Sequence, residues 1–148
     1  MKPIHPIAQA EMLAEVAIAR VLSEMLSIEQ LLRLAGEAAR FAERFPAQPQ
    51  GSVPRVQAIA QAAVLSELLA HRASRVVPGA RCMHRALAGR VWLARRGVAS
   101  KIVVGFRKRG VLEGHAWLEI QAPDGPFELF KGTDDGYRES FREVRYAV

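Results

Sequence analysis

The stretch CMHRALAGRVWLARRGVASKIVVGFRKRGVLEGHAWLEI, Cys82 to Ile120, decides the reading of this chain because its hydrophobic period changes part-way along. After Cys82 the polar residues up to Gly97 are His84, Arg85, Arg90, Arg95 and Arg96, so most of the circumference of a helix over this segment is apolar. That pattern predicts a helix starting at or just before Cys82, ending near Gly97 and buried by neighbours on several sides. Beyond Gly97 the period falls to two. Val98, Ser100, Ile102, Val104 and Phe106 alternate with Ala99, Lys101, Val103, Gly105 and Arg107, the pattern of a strand. Gly110 marks a turn, Gly114 to Gln121 reads as a second strand, Pro123-Asp124-Gly125-Pro126 turns again, and Phe127 to Lys131 is a third strand. A short helix is expected around Tyr137 to Val144.

Upstream the pattern is helical. Ala8 to Leu26 is dense in Ala, Leu, Met and Glu, with Met12, Val16, Leu22 and Met25 at helical spacings. Ser27 followed by Ile28, Glu29 and Gln30 is a capping box, opening a helix through Leu31, Leu34 and Phe41 that stops near Pro46. Phe45 to Pro54 holds three prolines and reads as a loop, and a third helix follows over Arg55 to Ala70. The expected fold class is α+β, with a helical N-terminal half packed on one central helix and a small antiparallel sheet. We expect one domain over 1–148, a helical part (1–76) and a part holding the cysteine helix and the sheet (77–148).

The composition is that of a globular chain: 148 residues, 50% hydrophobic, with no repeat and no low-complexity segment. Glu11, Glu15, Arg20 and Glu24 interrupt the most apolar region before it reaches the roughly 20 residues that span a bilayer. The opening Met-Lys-Pro-Ile-His-Pro lacks the layout of a secretory signal, so the expected location is the cytoplasm. One cysteine, Cys82, excludes an internal disulfide and a cysteine-rich zinc site. No phosphate-cradling glycine loop or metal-ligand cluster is visible, and no cofactor or metal is expected. The net charge of +6 is unevenly placed, since His71 to Leu112 holds eleven Lys and Arg and no carboxylate. Such a segment faces an acidic partner or keeps its surface solvated.

At the first turn of the central helix the Cys82 sulfur would sit among unpaired backbone N–H groups and the positive end of the helix dipole, with Arg81 and Arg85 adjacent. These surroundings favour a thiolate and an oxyanion, although a lone cysteine in an apolar helix also serves as core filler. Among four histidines, His5 lies in an N-terminal segment, and His71 and His84 fall on a helix end and a helix surface where capping or solvation is the default. His115 opens the run His115-Ala116-Trp117 after Gly114, with Trp117 on its own face to shield it. A cysteine at a helix start with a histidine on a downstream strand is the spatial logic of cysteine hydrolases and acyltransferases.

Cys82-Met83-His84-Arg85-Ala86-Leu87-Ala88, Leu93-Ala94-Arg95-Arg96-Gly97-Val98, Ile102-Val103-Val104-Gly105-Phe106-Arg107 and His115-Ala116-Trp117-Leu118-Glu119-Ile120 resemble, in order and spacing, the transglutaminase-like cysteine peptidases of lasso-peptide biosynthesis. The resemblance covers about Arg81 to Ile120. It implies leader removal from a ribosomally made precursor peptide, with Cys82 as nucleophile and His115 as general base. It further implies a separate leader-binding protein, a cyclising synthetase that consumes the freed amine, and no membrane or nucleic-acid partner. The resemblance also implies an acidic or amide residue, on the strand after the histidine, that orients the imidazole. If Asp124-Gly125 forms a two-residue turn, the register sets Asp134 opposite His115; a longer loop shifts the partner to about Gly132 or Thr133, and Asp135 and Glu128 are the other candidates. The family's usual acidic position follows a shorter hairpin. Three other readings stay open: acyl transfer to an amine, a non-catalytic scaffold, and a basic nucleic-acid-binding module. The last is disfavoured because the arginines form no recognition motif and only Trp92 and Phe106 offer stacking.

Overall fold

The computed structural model describes residues 5–46, 55–131 and 138–142. Four helices precede the sheet: α1 Pro6–Met25, α2 Ile28–Ala42, α3 Arg55–Val76 and α4 Cys82–Ala94. Local chemistry accounts for where they begin. His5 caps α1 by accepting from the Ile7 N–H, with Pro6 at the first helical position where its missing donor costs nothing. The predicted capping box of α2 is present in both directions, Gln30 N–H donating to Ser27 Oγ at 3.2 Å and Ser27 N–H to Gln30 Oε1 at 2.9 Å. The third helix runs past its expected end at Ala70 to Val76, just before Val77-Pro78-Gly79.

The central position expected for α4 is observed, since it packs against α1, α2, α3, β1 and β2. A contiguous core joins Met12 and Val16 of α1, Leu31 of α2, Leu69 of α3, Trp92 and Leu93 of α4, and Ile102 and Leu118 of the sheet. Met25, expected among the apolar positions of α1, is instead 74% exposed, because the helix turns its Met12–Val16–Ala19 stripe inward and Met25 lies off it.

The sheet has four antiparallel strands in the order β3-β2-β1-β4, with β1 Ser100–Arg109, β2 Val111–Ile120, β3 Phe127–Leu129 and β4 Arg138–Arg142. Three expectations are corrected here. The second strand begins at Val111 rather than Gly114, because Arg109 and Val111 pair directly across Gly110, whose φ of 76° closes the hairpin. The β2–β3 turn is Pro123-Asp124, closed by the Gly125 N–H on the Ala122 carbonyl, so Leu118 faces Leu129 and the register differs by two residues from the Asp124-Gly125 alternative. The segment expected as a helix around Tyr137 to Val144 contributes Arg138–Arg142 as a strand on the free edge of β1; an unpaired edge rewards extended backbone over a short helix. No helix among the described residues is long and apolar enough to cross a membrane.

Part of the positive segment is used inside the fold. Arg95 and Arg96 both bind Glu11, at 2.6 and 2.8 Å, and the Arg96 guanidinium lies 3.4 Å from the centroid of the Trp92 ring. Glu15, one turn along α1 from Glu11, has a buried Oε2 with no hydrogen-bond partner. Burial, followed by the Glu11 charge, raises its pKa from 4.5 to about 8 against the opposing pull of Arg96 and Arg95. In the unfolded chain the carboxyl ionises near 4.5, so its folded-state proton favours the native fold fully below that pH, and this contribution is lost as pH rises through about 8. Glu15→Gln is therefore expected to be neutral to stability at pH 4 and to raise the melting temperature progressively between about pH 5 and pH 8. Thermal unfolding across that range checks it; a gain independent of pH would contradict the assignment.

Candidate active site

Cys82 is the first residue of α4 and half-buried against the core. The turn before it is held from two directions. Arg20 of α1 donates through Nε to the Pro78 carbonyl at 3.2 Å, and the left-handed Gly79 leaves the space its guanidinium needs, since a Cβ there would lie 2.7 Å from Nε. The second hold is His84, expected on the helix surface but only 7% exposed. Its Nδ1 accepts the Arg81 N–H at 2.8 Å, so it caps α4 from the N3 position, and its Nε2 donates to Ser23 Oγ at 2.8 Å. The Ser23 hydroxyl in turn donates to the Arg20 carbonyl at 2.7 Å. Burial, and then the charges of Arg20 and Arg81, hold the His84 pKa below its ordinary value, which keeps the neutral form this chain of bonds requires. His84 is thus committed to positioning the start of α4.

His115 lies on β2 and stacks on Trp117, with ring centroids 5.9 Å apart and an interplanar angle of 23°, the shielding anticipated from their i, i+2 spacing. Its Nε2 donates to the backbone carbonyl of Phe130 at 2.9 Å. A carbonyl only accepts, so in the neutral ring the proton sits on Nε2 and Nδ1 is the basic nitrogen. Phe130 has a φ of 68°, the one positive value at a non-glycine among the described residues. That unusual backbone is fixed from above. The Phe130 ring is buried under α4, where a Cβ on Gly89 would meet its Cε2 at 2.8 Å and Leu118 Cδ1 at 3.2 Å. The ring of His71, from α3, closes the other side at 6.4 Å, edge-on.

These contacts set the relative heights of the two candidate residues. α4 and β2 run in the same general direction, since β1 returns from the end of α4 and β2 is antiparallel to β1. Working back from the Gly89–Leu118 contact, Cys82 is seven residues away along the helix and His115 three along the strand. Each offset is about 10 Å. Cys82 also shares the Gly89 face of α4, two turns apart. Cys82 and His115 therefore stand at similar offsets along α4 and β2 from that contact. Leu118 faces α4, so alternation sends His115 to the other face of β2, where its ring stacks on Trp117 and its Nε2 reaches the Phe130 carbonyl. No hydrogen bond joins Cys82 to His115.

Of the residues considered for the third position, Glu128 stands opposite Glu119 on β3 and pairs with Lys131 at 2.9 Å. Asp134 and Asp135 lie outside the described residues, as do Gly132 and Thr133.

A family model described as the transglutaminase-like superfamily matches residues 19–144. The chain belongs to the transglutaminase-like superfamily. No curated protein and no solved structure matches it. The α+β architecture is the one expected for a transglutaminase-like core, a cysteine-bearing helix start laid against an antiparallel sheet that carries a histidine. The superfamily includes cysteine peptidases and acyltransferases, both of which use an activated cysteine, and its members are usually catalytic.

Phe130 could not have been named from sequence, since the group that counts is a main-chain carbonyl. The nearest signal was Gly89, a glycine in a helix where alanine would be favoured by about 1 kcal/mol. Gly89→Ala is expected to destabilise the protein by about 1–2 kcal/mol despite that propensity, because the ring below has no room to retreat. It should also turn the His115 imidazole from Nε2–H towards a mixture of tautomers, read from its nitrogen NMR shifts. Unchanged stability with an unchanged tautomer would show that Phe130 does not depend on Gly89.

Proposed function

We propose that the protein is a cysteine peptidase that removes the leader from a ribosomally synthesised lasso-peptide precursor. The observation that carries the reading is Cys82 at the first position of α4 in a transglutaminase-like fold whose sheet carries His115, its Nε2 engaged by the Phe130 carbonyl. Superfamily membership supports cysteine chemistry, and the resemblance over Arg81 to Ile120 supports the leader-peptidase assignment within it.

His115 Nδ1 takes the Cys82 proton as the sulfur attacks the peptide carbonyl at the leader–core junction, forming the S–C bond and a tetrahedral oxyanion. Backbone N–H groups of the first turn of α4 hold that oxyanion. As it collapses the C–N bond breaks and the imidazolium protonates the departing amine. Water then gives a proton to His115 and adds to the thioester, releasing the leader carboxylate and restoring the thiol. The reaction requires the His115 imidazole to reach the Cys82 sulfur in the substrate complex. Asp134, or its neighbour Asp135, is assigned the carboxylate that steadies the imidazolium. The reaction takes place in the cytoplasm with a separate leader-binding protein presenting the precursor, and the cyclising synthetase consumes the new amine. No metal or cofactor takes part.

Acyl transfer is the second reading, favoured by superfamily membership alone. It differs in the acceptor: an amine in place of water gives a product heavier than the free leader, which mass spectrometry separates. Nucleic-acid binding loses ground because Arg95, Arg96 and Arg107 are drawn into ion pairs with Glu11 and Glu113.

With precursor and leader-binding protein supplied, Cys82→Ala is expected to abolish leader release, and His115→Ala to slow it by about 10²–10⁴-fold. Cleavage by Cys82→Ala at the wild-type rate would end the proposal.

A further inference from the structure

The ion pairs above leave a particular group of cations unmatched. Arg95 and Arg96 share Glu11, and Arg107 binds Glu113. Arg72 and Arg75 of α3, Arg81 before α4 and Arg85 within it have no carboxylate in salt-bridge contact among the described residues. All four flank the end of the molecule where Cys82 lies. Arg85 is three residues beyond Cys82, the spacing of surface neighbours on a helix, and helical side chains lean back over the preceding turn.

Arg85 has the features of a cation awaiting an anion. Its Nε is buried with no hydrogen-bond partner, so the stem is held by packing while the terminal nitrogens reach the surface. The contact they make is with a neutral acceptor, Nη1 standing 3.4 Å from His71 Nδ1. Burial first, then Arg85, lowers the His71 pKa; Arg75 adds to this, and Glu67, one turn earlier on α3, opposes it. Glu67 forms no ion pair with Arg85 or Arg75. A guanidinium stripped of part of its water and lacking a counter-charge is a costly arrangement unless a ligand completes it. His71 also touches the Phe130 ring, whose main chain holds His115. Two residues, His71 and Phe130, therefore stand between the unmatched charge and His115.

We propose that Arg85, supported by His71 and Arg75, is a subsite for an acidic side chain of the polypeptide substrate, so that the enzyme selects a precursor carrying Asp or Glu close to the bond it cuts. This rests on the peptidase reading for the word substrate, but the binding step is separable from cleavage. A planar guanidinium offers two parallel N–H donors to a carboxylate, which gives orientation as well as attraction. The positive charges that act on His71 come from Arg85 and Arg75, two cations around one neutral acceptor, which fits one or two carboxylates better than a polyanion backbone.

The test uses full-length Cys82→Ala protein and fluorescein-labelled twelve-residue Gly/Ser peptides bearing two adjacent Glu, two Gln or two Lys, with a twelve-nucleotide oligothymidine alongside. Fluorescence anisotropy at fixed low salt is expected to show about tenfold tighter binding of the Glu than the Gln peptide, a preference removed by adding Arg85→Gln. Arg85→Glu should reverse the order in favour of the Lys peptide, which a merely misfolded variant would not do; circular dichroism confirms the fold. A Glu preference untouched by Arg85→Gln and Arg85→Glu, or tighter binding of the oligothymidine lost in the same variants, would overturn the proposal. Because no bond is cut, these outcomes stand whether or not Cys82 proves catalytic.

Discussion

The contact between Gly89 and the Phe130 ring is the constraint on which the site depends. α4 is enclosed by three helices and two strands, so its face towards β2 has little freedom, and at Gly89 the approach is too close for even a methyl group. That closeness lets an aromatic ring enter between helix and sheet edge. The ring holds a main chain in a left-handed conformation that phenylalanine rarely adopts, and the carbonyl so aimed accepts a hydrogen bond from His115 Nε2–H. Removal of a side chain at position 89 thus acts, through packing, on the tautomer of an imidazole in another element.

The start of α4 is held by a second, polar device of the same kind. An arginine is a poor N-cap, having no acceptor, and a histidine three residues on supplies the acceptor instead. Because that histidine is neutral it has a donor left, which ties the helix start to α1 through Ser23. The four histidines thus divide by surroundings rather than by type. His5 and His84 cap helices, His71 borders the unmatched arginines, and His115 stands on β2 beside a shielding tryptophan. The positive segment divides similarly, into Arg95 and Arg96, which bind Glu11 of α1, and Arg85, whose contact is with the neutral His71.

Much of the architecture was legible because it is written in local chemistry. The capping box at Ser27, the apolar circumference of α4, the change of period after Gly97 and the turn at Gly110 each depend on residues within a few positions of one another. The pairing of Cys82 with His115 as candidates was legible for the same reason, one at a helix start and the other opening a shielded strand run. Where the reading failed, the deciding partner was distant in the chain. Arg138–Arg142 has no strong period of its own and becomes a strand because β1 offers it an edge. His84 looks like a surface residue until α1 covers it.

The order of helices and strands, the centrality of α4 and the placement of the two candidate residues at a helix start and on a strand follow from periodicity and capping, which the chain carries at every position regardless of its partners. Register, the carbonyl of Phe130, the raised pKa of Glu15 and the unmatched charge of Arg85 follow from which elements come together, since a hairpin slipped by two residues or a cation left without its carboxylate is defined only by neighbours far away in sequence.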